Sequence, residues 1–268
     1  MALGPLLGGI IADQINLQAV FLIYAAMALT VLPVSFTIKE QQRPSGASAT
    51  RGSRFGLARI GDIDPFFRLT FMVLLFATIS AMMRNTTFQT MLPLYAGLYR
   101  GLSVTKVGSL FALKGLIDIA MIVPVGFISD KLGRKAATVP SALLGGVAFV
   151  CFYLSDSMMG FVISTTILGI STGLALGSMT TSTYDIIPQT GRAQFQALRR
   201  TVGEVGALAG PLLSLPIANT YHAGAPFLFF APIHILTALL LIFVARESLP
   251  TKRKAGPPPI PSDASEYP

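Results

Sequence analysis

Four charged side chains, Arg84, Lys114, Asp118 and Glu204, stand inside long apolar stretches of this chain. A charge in hydrocarbon costs at least a few kcal/mol unless it meets protein or water, so residues of this kind are candidates for function. Desolvation favours the neutral form of a carboxyl, and a carboxyl that takes up and gives back a proton at mid-membrane can carry it. Asp118 and Glu204 are the two carboxyls so placed. Counted from the cytoplasmic helix ends at about 1.5 Å per residue, they lie roughly 17 Å and roughly 14 Å deep. Lys114 and Asp118, four residues apart, can also pair on one helix face, and Arg200 stands one turn before Glu204. A neutralised structural pair is therefore as open as proton carriage. Arg84 begins a polar patch with Asn85, Thr86, Thr87 and Gln89, which either faces a solute cavity or forms a polar seam. His222 and His234 have no flanking carboxylates, and Cys151 is alone in an apolar run, so no metal, cofactor or catalytic cluster is expected.

These residues need a scaffold in a bilayer. Apolar residues make up 52% of the chain and charged residues 12%, against about a quarter charged in a soluble domain. The formal charge is +8, but the basic residues lie between apolar runs rather than on one face, which argues against a nucleic-acid partner. A helix needs about 20 apolar residues to cross the hydrocarbon core. Seven runs meet this, at approximately 19–38, 66–94, 104–129, 137–154, 158–184, 195–219 and 225–245, and an eighth, 1–12, is half-length. An all-α membrane protein is expected, with segments 1–38 (a half helix and one span), 39–64 (a polar linker), 65–246 (six spans) and 247–268 (a Pro-rich disordered tail). Lys39, Arg43, Arg51, Arg54, Arg59, Lys131, Arg134, Lys135, Arg192, Arg199 and Arg200 fall in or beside every second loop, which places the C-terminus in the cytoplasm. His222, in an outer turn, is expected to be solvated.

Glycines punctuate the spans. Gly206 and Gly210, four apart, let helices approach closely in lipid, and Gly169, Gly173 and Gly177 repeat the spacing. The segment Gly4-Pro5-Leu6-Leu7 recurs as Gly210-Pro211-Leu212-Leu213, and the register continues without a gap to Phe21-Leu22 against Phe227-Leu228. Such an internal repeat marks 1–38 as the end of a first bundle and the last two spans as the end of a second.

Between two spans lies Gly126-Phe-Ile-Ser-Asp130-Lys131-Leu-Gly133-Arg134-Lys135. It resembles the signature loop of the major facilitator superfamily, G-x-x-x-D-[RK]-x-G-R-[RK], at every position. Asp130 at a helix C-terminus opposes the helix dipole and should be held by neighbouring basic residues or by another helix's N-terminus. The segment Gly4-Pro5-Leu-Leu-Gly8-Gly9 resembles the end of the glycine-proline motif of the superfamily's drug:proton antiporters.

The resemblance implies twelve helices in two bundles rocking about a central site, with 1–38 holding part of the fifth helix and the sixth. It implies proton-coupled efflux of a small organic solute across the plasma membrane, with lipid, solute and protons as partners. Arg84, Asn85 and Gln89 would line the cavity, since the first span of a half does so in this family, and His234 would sit on a supporting helix. The chain is expected to lack the first four helices and to be inactive alone. A non-transporting sensor or assembly partner of the same fold is the alternative.

Overall fold

The computed structural model describes residues 3–37, 61, 63–188 and 191–248. In chain order the helices are α1 (Leu3–Gln14), α2 (Leu17–Thr37), α3 (Pro65–Leu92), α4 (Val104–Ala120), α5 (Ile122–Lys131), α6 (Lys135–Leu154), α7 (Met158–Ile186), α8 (Arg192–Thr220) and α9 (Ala225–Phe243). Among the described residues, five helices are long and apolar enough to cross a membrane, and six spans result if α4 and α5 count as one. Each expected span coincides with a helix to within a few residues, and α1 is short, as expected.

Two spans depart from a plain rod, and proline explains both. The run expected over 104–129 breaks at Met121, where α4 and α5 meet at 40°. Pro124 has no N–H to give the carbonyl of Ala120, and its ring crowds that carbonyl. At the other end, α3 passes at Pro93 into a π-helical turn, Pro93–Tyr99, closed by Arg100 N donating to Tyr95 O at 2.9 Å.

The bundle is built from close pairs. Helix α3 lies along α8 and α9, α6 between α7 and α9, and α4 between α7 and α1. Lipid is as apolar as a Leu side chain, so contact rests on close van der Waals fit, and small residues supply it. A Cβ on Gly206 would overlap the Ile79 carbonyl of α3, and one on Gly210 would come within 2.9 Å of the Met83 carbonyl. On α7, Gly169 receives Ile117 and Gly173 receives Met121, so the bend in the α4–α5 span is seated on a strip of small residues.

Helix α1 meets α4 in the same manner. A Cβ on Gly108 would come within 2.5 Å of the Pro5 carbonyl, and one on Gly9 within 2.9 Å of the Val104 carbonyl. Asp13 then accepts from Thr105 N at 2.8 Å and from Thr105 Oγ1 at 2.5 Å, which caps the first turn of α4 with a carboxylate. Gly4, expected to pack, has nothing within 4 Å of a Cβ; the contact falls one residue on, at Pro5, and again at Gly9.

Residues beyond both ends of the six-span bundle pack against it. Most of the linker 39–64 and of the tail 247–268 lies outside the described residues. Ile63, however, is fully buried, and Asp64 accepts from Phe66 N at 3.0 Å as the N-cap of α3. Glu247 and Ser248, assigned to a disordered tail, pack on the bundle instead, for the reason given below.

Candidate functional site

A cavity of about 200 Å³ opens among α3, α4, α7 and α8, lined by Arg84, Asn85, Lys114, Asp118, Thr172 and Arg199 with several apolar neighbours. A second, of about 540 Å³, shares Asn85, Lys114 and Asp118 and adds Pro5, Phe88, Gln89 and Phe111. Three expected cavity residues, Arg84, Asn85 and Gln89, thus line one or both spaces, and Asp118 lines both. Lys114 Nζ donates to Asp118 Oδ2 at 2.8 Å. The other carboxylate oxygen accepts a short hydrogen bond from Thr172 Oγ1 on α7. The i,i+4 spacing permits the pair, and the bend just beyond it carries the rest of the span away.

Glu204 is not part of this assembly. It is exposed on α8, lines neither cavity and forms no ion pair with Arg200. The two carboxyls share a depth in the expected spans, but depth does not fix rotation. Gly203, Gly206 and Gly210 turn towards α3, and at about 100° per residue Glu204 turns away from that face.

Arg84 is 1% exposed. Its Nη1 donates to Ser141 O at 3.3 Å, and Nε has no partner. Gly145 on α6 makes the room, because a Cβ there would overlap the guanidinium. His234, expected to be structural, is fully buried, with Nδ1 2.6 Å from Ser80 Oγ and its ring edge-on to Phe149. His222, expected to be solvated, is instead half-buried against Tyr99 and Tyr153, because the turns at that end of the bundle fold over one another.

At the opposite end the signature loop is held by residues far away in sequence. Arg134 Nη1 donates to Asp130 Oδ1 at 2.7 Å and Nε to Asp185 Oδ2 at 2.8 Å. Burial works against the Arg134 charge, yet the hydrogen bonds to Asp185 and Asp130 outweigh it and hold its pKa above the usual value. Asp130 is thus held by a basic neighbour, as expected. Gly133 has φ +113°, and a Cβ there would lie 2.7 Å from Glu247 Oε2. Both conditions favour glycine.

Glu247 accepts from Arg134 N at 2.7 Å and Lys135 N at 3.2 Å, at the start of α6. Lys135 Nζ donates to the carbonyls of Ile242 and Ala245 at the end of α9, at 2.8 and 2.9 Å. Each charge satisfies the free groups of the other's helix and complements its dipole. Lys131 points elsewhere, over Phe127, and Gly126 faces open space. Replacing Glu247 by Ala frees two backbone donors and is expected to cost about 2 kcal/mol. Thermal unfolding in detergent should show it, with Glu247→Gln losing less; an unchanged midpoint for Glu247→Ala would discount the clamp.

An apolar six-span bundle with charged groups on an internal cavity and a basic loop at one face defines a multi-pass helical membrane protein. The chain belongs to the Major Facilitator Superfamily, whose family model matches residues 1–117 and 74–266. A multi-drug resistance efflux pump PmrA homolog of Lactococcus lactis is 26% identical over 225 residues, 81% of this chain and 53% of the pump. A Na(+), Li(+), K(+)/H(+) antiporter of Planococcus maritimus is 27% identical over 176 residues, 62% of this chain and 40% of the antiporter. A crystal structure of a peptide transporter POT in complex with sulfate superposes with a TM-score of 0.60 at 15% identity, covering 68% of this chain and 40% of the other. The chain thus spans from two fifths to about half the length of these relatives. Members of this family are transporters, not enzymes.

Proposed function

We propose that the six-span bundle is one half of a proton-coupled exporter of small organic solutes, working by alternating access in the plasma membrane. The observation that carries this is Asp118. It is an ionisable group on a membrane span, it lines both cavities, and its Lys114 partner would be left without a counter-charge when Asp118 takes a proton. Protonation therefore breaks an ion pair within α4 and weakens the charge-assisted bond from Thr172, which ties α4 to α7, and that is how a proton biases a two-state element. The bend at Met121 and the glycine strip of α7 give that span somewhere to pivot. The efflux pump and the cation/proton antiporter among its relatives support both halves of the reading. Helices α1 and α2 belong to the first bundle, and the tight α1–α4 seam is a contact across which the two bundles rock. The basic signature loop faces the cytoplasm, as does the C-terminus.

The test is solute flux after a pH jump in proteoliposomes holding the two-bundle form, with the other helices of the first bundle supplied ahead of α1. Accelerated solute movement against the imposed proton gradient is expected. Absence of any gradient-driven flux would leave a sensor or assembly role in its place.

A further inference from the structure

The cavity has an excess of positive charge that no described residue answers. Arg84, Lys114 and Arg199 line it, against the single carboxylate of Asp118. Asp118 is already taken by Lys114 and Thr172. Arg199, half-buried, donates to the neutral oxygens of Gln196 and Thr180 at 3.1 and 3.2 Å. Neither Arg84 nor Arg199 has a carboxylate within ion-pair distance among the described residues.

Arg84 is the sharper case. A guanidinium has five N–H donors, yet this one spends a single 3.3 Å bond on the Ser141 carbonyl, which also accepts from Ser171 Oγ at 2.6 Å. A permanently charged group 1% exposed inside a membrane, with Nε unpartnered, is costly unless something supplies the missing acceptors. The planar fork fits a carboxylate. Next to it, Phe88 and Phe111 line the larger space, which is apolar enough for an organic body.

We propose that the solute is an organic anion, a carboxylate or a group of like shape and charge, whose head docks on Arg84 with Arg199 nearby and whose apolar body lies against Phe88 and Phe111. This rests on the cavity being the transport site. While Asp118 is ionised Lys114 remains paired with it, so the proton carrier adjoins the anion site on Arg84.

The probes are benzoate and 2-naphthoate, each beside its neutral amide, titrated by equilibrium dialysis onto the full chain in nanodiscs, with empty nanodiscs as background. The acids should bind about tenfold or more tightly than the amides. Arg84→Gln should erase that preference, Arg84→Lys should keep part of it, and Arg199→Gln should reduce it. Matching thermal unfolding midpoints certify that the variants are folded, and Arg84→Lys serves where Arg84→Gln is not. Equal binding of acid and amide, no binding of either, or a preference that survives Arg84→Gln would each overturn the anion site. An acid preference without pH-driven flux would retain the site and remove the transport reading. Flux of neutral or cationic solutes indifferent to Arg84→Gln would do the reverse.

Discussion

Asp118→Asn should abolish pH-driven solute flux in the two-bundle form, to the level of protein-free vesicles, while leaving solute exchange across the same vesicles intact. Asparagine keeps the shape and an oxygen for the Thr172 hydroxyl, but it cannot release a proton, so the protein is held in an imitation of the loaded state. If Asp118 served only to neutralise Lys114, the variant would be less stable, by about 1–3 kcal/mol for a charged group deprived of its partner, and both modes of transport would fall together. The split between coupled flux and exchange is what separates the two. Asp118→Glu should keep some coupling, because a carboxylate remains on the same helix face. Glu204→Gln supplies the contrast: its carboxyl is exposed on α8 and lines neither cavity, so coupled flux should persist. Coupled flux that survives Asp118→Asn but not Glu204→Gln would transfer the role to α8.

Much of this organisation was legible in the sequence because the bilayer imposes a length on every span and a charge bias on every second loop. The spans ending at Leu154 and beginning at Met158 and Ala225 needed only the extent of their apolar runs. The signature loop was legible as a local pattern, and Gly133 and Arg134 do what their types demand. What could not be read was the distant half of each local feature. Asp185 and Glu247, which hold Arg134 and the start of α6, are separated from them by 51 and 113 positions, and no periodicity links them. Glu247 even follows the last apolar run, where composition favours a tail. The bend at Met121 had a visible cause in Pro124, but an apolar run reads as continuous whether or not its axis is. Rotation about a helix axis was the other loss. It separates Glu204, which faces outward, from Asp118, which faces the cavity, although both stand in apolar runs at similar depth.

The same rotational logic gives the largest structural effect expected in the bundle, at Gly206. Its missing side chain is where α8 touches the backbone of α3: a Cβ there would overlap the Ile79 carbonyl, and backbone has no rotamer to yield. Gly206→Val must therefore push the helices apart along their whole shared seam, including Gly203 on Thr78 and Gly210 on Met83. Overpacking a fitted interior costs about 1–3 kcal/mol, and this site should fall at the upper end or beyond because the obstacle is main chain. Gly126→Ala is the matched control. It lies in helix α5 with nothing within 4 Å of the added Cβ, so helix propensity alone should act, a gain of up to about 1 kcal/mol. Gly203→Ala stands between them, since its Cβ would come within 3.0 Å of the Thr78 methyl, a side-chain atom with some freedom to shift. The order of unfolding midpoints in one detergent should thus be Gly126→Ala highest, then Gly203→Ala, then Gly206→Val. If Gly206→Val unfolded no earlier than Gly126→Ala, α3 and α8 would not be in backbone contact, and the wall of the cavity that holds Arg84 and Arg199 would have to be drawn elsewhere.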